Sequence, residues 1–211
     1  IKWTGNGSLA KSTVGHGLGV TPNVFITKRT SSSSSWIVYH SAMDTTGDYY
    51  LNLENTIAKT NYNEVFGDGM TSSVCGLATF HTDGTYVGYA FAEKKGFSKF
   101  GSYTGNGSTD GTFVYTGFKP AFVLAKQSSA SGNDWTIYDN KRNNYNVVNK
   151  VLYPNASGTE ATASNTYDFL SNGFKLRTTD GRENASGSTY IYMAFASNPF
   201  VTSTGVPTTA R

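Results

Sequence analysis

Residues 117–126 read GFKPAFVLAK, and residues 19–28 read GVTPNVFITK. In each, apolar residues alternate along a short run that ends in a lysine, the period of a half-buried β-strand. The match continues on both sides. TGNGS stands at residues 4–8 and again at 104–108, each time after an aromatic residue, Trp3 or Tyr103. WIVY at 36–39 answers WTIY at 135–138, and GTYVGYAFA at 84–92 answers STYIYMAFA at 188–196. Four blocks in one order, offset by about a hundred residues, indicate an internal duplication.

Within the first copy, Val24, Ile26 and Lys28 alternate with Phe25 and Thr27, five serines at 31–35 close the segment, and 36–39 returns. This predicts a hairpin whose serine run is an exposed tip and not a linker. The second copy repeats it with 121–126, a loop at 128–134, and 135–138. Further strands are expected at 49–53 and 150–153, 74–80 and 173–178, and 86–92 and 190–196, separated by turns such as Asp83-Gly84 and Asp180-Gly181. Short, regularly spaced strands with such turns predict an all-β fold: an antiparallel β-sandwich, jelly-roll or lectin-like, built from two repeats. The expected divisions are 1–101 and 102–200, packed as one unit, followed by an extended arm at 201–211. One helix is a candidate, at 146–152, where Val147, Val148, Val151 and Leu152 fit one helical face, although β-branched and Asn-rich content disfavours it.

Composition suits this picture. Hydrophobic residues make up only 37% of the 211 but aromatic ones 14%, so large rings can build a core from few positions. The net charge of +3 is spread evenly, with 8 basic against 7 acidic residues up to Gly101 and 9 against 7 after it. The densest basic cluster, Lys94-Lys95 with Lys99, is too short for a nucleic-acid footprint, so no nucleic-acid partner is expected. No apolar run reaches the length that spans a bilayer, and no membrane insertion is expected. The single cysteine, Cys75, rules out an intrachain disulfide and reads as a small buried strand residue.

No catalytic constellation stands out. His16, His40 and His81 lack metal-ligand spacing and read as surface or loop-edge residues. Nothing singles out one pair among the 14 acidic residues for glycoside hydrolysis, although Asp139 and Asp168 follow tyrosines, as in a sugar platform or a plain turn. Neither a phosphate-cradling loop nor a Gly-x-Ser-x-Gly elbow is present. Calcium is a softer possibility near 67–69 and 132–134, without EF-hand spacing. The expectation is a non-enzymatic protein with no catalytic residues, no metal and no cofactor. Asn6, Asn106, Asn155 and Asn184 each open an Asn-x-Ser sequon, relevant only in a glycosylating host.

Function is expected where the two copies differ, since residues common to both are explained by the shared fold. The largest difference is DNKRNNYN at 139–146, whose Lys141, Arg142, Asn143, Asn144 and Tyr145 offer the cations, amides and aromatic ring that bind sugars or protein surfaces. These five are the candidate binding residues.

The runs GFSKFGSYTGNGS at 96–108, FVYTGFKPAFV at 113–123, DFLSNGFKLR at 168–177 and 190–200 resemble an uncharacterised domain of bacteriophage virion proteins found in tail-fibre and structural proteins of marine phages. The resemblance extends from about Gly5 to Phe200, and SNGFKLR at 171–177 is its most specific block. It implies a place on the virion, an extracellular particle, and other virion proteins as partners. A fibre or receptor-binding module, a homotrimer contacting a host-surface glycan or protein, is one form of that expectation. A purely structural capsid-decoration or tail-assembly protein is the other, and a glycan depolymerase a third. The family carries no assigned catalytic residues to transfer.

Overall fold

A computed structural model describes residues 1–7 and 10–199, so the arm expected at 201–211 lies outside the described residues. The chain divides into two compact units, Ile1–Ala92 and Glu93–Arg211. Every strand pairing among the described residues is antiparallel.

The first unit holds β1 (Lys2–Thr4), β2 (Ser12–Gly15), β3 (Val24–Arg29), β4 (Trp36–His40), β5 (Tyr49–Asn52), β6 (Thr60–Asn61), β7 (Val74–Leu77) and β8 (Thr85–Phe91). One sheet runs β1-β8-β3-β4-β5-β6, and β2 pairs with β7. Phe25, Ile37 and Tyr39 from the larger sheet meet Cys75 and Leu77 of β7 and the turn residues Val65 and Phe66, all buried. Cys75 is thus a buried strand residue. Beyond β7 the strand expected to reach residue 80 gives way to a 3-10 turn, Thr79–His81.

The second unit holds β9 (Ser98–Thr104), β10 (Phe113–Tyr115), β11 (Pro120–Gln127), β12 (Thr136–Asp139), β13 (Val148–Val151), β14 (Ala161–Leu170), β15 (Gly173–Leu176) and β16 (Thr189–Ala196). Its sheets run β12-β11-β16-β9 and β10-β15-β14-β13. Tyr103, Val123, Tyr138, Tyr190 and Tyr192 of the first sheet pack with Val148, Tyr167, Phe169, Phe174 and Leu176 of the second. Ring contacts cross the gap, at 4.6 Å between Tyr138 and Tyr167 and 5.4 Å between Phe174 and Tyr192. Two sheets sharing one aromatic core are a sandwich, the all-β class expected from alternation and turns. β9 crosses residue 101 and pairs throughout with β16 inside this unit.

The units use one pairing scheme. β1·β8, β8·β3 and β3·β4 have counterparts in β9·β16, β16·β11 and β11·β12, and β2·β7 and β5·β6 in β10·β15 and β13·β14. Registers agree too: Phe25 faces Ala90 as Val123 faces Ala194. The aromatic residue before each TGNGS stacks on the strand beside it, Trp3 on Tyr86 at 5.3 Å and Tyr103 on Tyr190 at 5.0 Å. The following glycine then passes close to backbone. Gly5 N–H donates to the Gly84 carbonyl and Gly105 N–H to that of Ser188. A Cβ at either glycine would overlap a carbonyl oxygen, of Thr82 or of Ala185.

Two expectations need correction. The segment 146–152 is not helical; Val148–Val151 is the strand β13, paired with β14. A register shift between Val148 and Lys150 marks a β-bulge there, and both Val148 and Val151 are buried. The extra residues of that shift lie on β14, between Thr162 and Tyr167, while Val148 and Val151 stand three apart on β13, both buried, which imitates a helical period. The histidines are not all at the surface, since His40 and His81 are buried. His40 Nδ1 accepts the Ala42 N–H at the end of β4.

His81 Nε2 lies 2.9 Å from Thr27 Oγ1, its ring packed among Trp3, Phe66 and Tyr86. Burial pushes its pKa down to about 4. The unfolded chain then takes up this proton at a higher pH than the folded one, so stability falls as pH drops from 6.5 to 4, by on the order of 3 kcal/mol. Hydrogen-exchange protection factors of β3 and β8 amides, corrected for the intrinsic rate at each pH, should fall over that window. Constant protection there would show that His81 titrates normally.

Candidate functional site

The five candidate residues lie on the loop from β12 to β13, and the structure sorts them into two groups. Asp139, at the end of β12, folds the loop back: its Oδ1 accepts the N–H groups of Lys141 and Arg142, both at 2.9 Å. Its Oδ2 receives Arg142 Nε at 2.6 Å. Burial raises the Asp139 pKa, but the Arg142 N–H and guanidinium and the Lys141 N–H outweigh it and hold the carboxyl below its ordinary value. Arg142 also donates through Nη2 to the Ile137 carbonyl at 2.9 Å and approaches Glu160 at 3.5 Å. It is a clamp, with little left to offer a ligand.

Asn143 is likewise committed. Its Oδ1 accepts the N–H groups of Asn149 (3.1 Å) and Lys150 (2.7 Å), in place of a neighbouring strand beside the bulge. Asn146 mimics a backbone pair against β14, donating to the Phe169 carbonyl at 3.1 Å and accepting the Phe169 N–H at 2.9 Å. Lys141, Asn144 and Tyr145 remain on the outside, Tyr145 at 85% exposure. An aromatic ring held that far into water on a braced loop has no role in the core.

Beside this tip is a recess of about 250 Å³. Four asparagines line it, Asn140, Asn143, Asn144 and Asn146, with Tyr145 and Lys119, while its apolar wall is the buried Val148 and Phe169. Asn140 Oδ1 is buried and accepts no hydrogen bond within the protein. A buried polar atom normally has a partner, from the protein, water or a ligand. Amides present donors and acceptors side by side, and Tyr145 presents a flat face, which together suit hydroxyl-bearing rings. Sequence reasoning chose the loop but left Asn140, which stands inside the divergent run 139–146, out of the candidate set, and missed Lys119, which belongs to another block of the alignment.

A second polar centre is sealed. Glu183, 2% exposed, accepts Tyr138 OH at 2.9 Å, and its backbone carbonyl accepts Tyr103 OH at 2.9 Å. Its other carboxyl oxygen, Tyr167 OH and Thr136 Oγ1 are buried without partners. Burial, then the charge of Asp180, pushes the Glu183 pKa up to about 8. A group this enclosed belongs to the energetics of the fold. Its sequence surroundings, Asp180 to Asn184, read as an ordinary polar turn.

The remaining polar candidates are committed to the fold. Asp168 Oδ2 receives Arg177 Nε at 2.6 Å. Asp68 is paired to Lys11 at 2.5 Å, and Asp134 Oδ1 accepts Asn155 Nδ2 at 2.7 Å. Among the described residues no group of three or more His, Cys, Asp or Glu comes together to hold a metal ion. Asn184, of the sequons, is fully buried and accepts the Asn106 N–H, fastening the second TGNGS turn.

No curated protein and no solved structure matches the chain. The model of one family, described as Domain of unknown function (DUF7483), matches residues 1–199, so that both units and the braced loop fall inside it, and the chain belongs to that family.

Proposed function

We propose that the chain is a non-enzymatic bacteriophage virion protein, a tail-fibre or receptor-binding module that contacts a glycan on the host surface through the β12–β13 loop. The observation that carries the binding reading is the braced tip: Tyr145 is held in solvent beside an asparagine-lined recess whose Asn140 Oδ1 lacks a partner. The virion setting rests on the resemblance of 96–123 and 168–177 to phage virion domains, and with it come other virion proteins and a homotrimer as partners. The two units are two copies of one β unit, a reading supported by their matching strand pairings. No carboxyl lines the recess, which favours binding over glycan cleavage, a reaction that needs a placed pair of carboxyls.

The test is binding of labelled protein to a panel of intact marine bacteria, with and without periodate oxidation of surface glycans. Saturable binding that oxidation abolishes is expected, and Tyr145→Ala should weaken it about tenfold or more, as for an aromatic anchor, with the melting temperature unchanged. Binding indifferent to both treatments would refute the glycan reading.

One observation favours a structural virion role instead. β10 is a sheet edge, and its alternate residues Phe113 and Tyr115 are 44% and 64% exposed. Exposed aromatic rings on an edge strand suit a protein partner. Folded protein that binds no cell but binds phage particles would move the assignment there.

A further inference from the structure

The charges around the recess narrow the class of saccharide, an inference that rests on the glycan reading above. Lys119 is the charged residue among those that line the recess, and no Asp or Glu lines it. In the second unit Lys99, Arg142, Lys150, Lys175, Arg177 and Arg182 all lie within ion-pair distance of a carboxyl. Lys119 and Lys141 do not, among the described residues, and one lines the recess while the other sits on the loop beside it. The nearest acid in sequence, Asp139, is turned to the Lys141 and Arg142 N–H groups and to the Arg142 guanidinium.

A site for neutral sugars gains from carboxylates, which accept hydroxyl protons strongly. This recess has amides, an aromatic face and an unopposed ammonium in their place. An ammonium with no carboxyl partner attracts an anion, and a wall without carboxylates does not repel one. We infer that the recess at the β12–β13 loop takes an acidic sugar unit, its anionic group set against Lys119 and its hydroxyls against the Asn140 and Asn144 amides. Carboxylate and sulfate ester share this chemistry. The cavity volume, about 250 Å³, suits a single sugar unit at a chain end or branch more than a long internal run.

The experiment uses the full chain with alginate, polygalacturonate and a sulfated galactan, each before and after removal of its acid groups, by carboxyl reduction for the first two and by desulfation for the third. Binding to a native form that is lost on removal is expected, and which polymer it is tells carboxylate from sulfate. Lys119→Gln, at an exposed position, should lower affinity for that native form about tenfold, as for one charge-assisted contact, and leave the melting temperature unchanged. Equal binding before and after removal would overturn the acidic-sugar inference while leaving the glycan reading in place. Failure to bind every native form would also overturn it, and cell binding with periodate would then decide the glycan reading separately.

Discussion

Between pH 5 and pH 8 the second unit should lose on the order of 4 kcal/mol of stability, and a Glu183→Gln variant should lose far less. The cause is the enclosed carboxyl, 2% exposed, whose pKa is pushed from an ordinary 4.5 to about 8. In the unfolded chain it ionises near 4.5, while in the folded unit it keeps its proton until the pH approaches 8. Its contribution is therefore complete below pH 4.5 and is lost as pH rises through 8, the opposite direction to the His81 effect in the first unit. Glutamine keeps the shape and stays neutral, so the two proteins should be closest in stability near pH 4 and the variant the more stable near pH 8. Hydrogen exchange at β11 and β16 amides measures this within the second unit. Parallel pH curves for the two proteins would show that Glu183 titrates like a solvated acid.

Gly105→Val should unfold the second unit or lower its stability by more than about 3 kcal/mol, beyond the usual cost of overpacking. The Cβ would overlap the Ala185 carbonyl oxygen and come within 2.9 Å of the Asn184 carbonyl carbon. Backbone cannot retreat cheaply here, because Asn184 is fully buried and its side chain donates to the Ser108 and Thr178 carbonyls at 2.8 and 2.7 Å. Gly158→Val is the control, since a Cβ there meets nothing within 4 Å. Melting temperature and soluble yield of both variants report the result. If Gly105→Val left stability intact and removed ligand binding, the repeated TGNGS would be a site and not a joint of the fold.

The all-β class was legible because strands with one buried face alternate, and because glycine and asparagine turns punctuate them. The hairpin β3–β4 falls where the serine run predicts it, with 31–34 exposed. What misled was any place where position and direction part company. On β13 the buried Val148 and Val151 stand three apart and imitated a helix. In the loop, residue type marked Arg142 and Asn143 as ligand-facing, yet hydrogen bonds to Ile137, Asn149 and Lys150 turn both toward the protein. Glu183 and His81 were illegible for the same reason, because a single charged letter in a turn does not record which way its side chain points. Lys119 reaches the recess only through the pairing of β11 with β12, a long-range fact that no local pattern contains, whereas Asn140 was inside the run already singled out.

The bracing of the β12–β13 loop separates the positions that build it from those that do not. Asp139, Arg142, Asn143 and Asn146 hold the two ends of the loop to neighbouring backbone, leaving positions 141, 144 and 145 with outward side chains. Those three can be rewritten without disturbing the frame, as the variable letters of an otherwise fixed word. A library randomised at the three positions alone should yield members that keep the parent's melting temperature, which makes the loop a cassette for engineering.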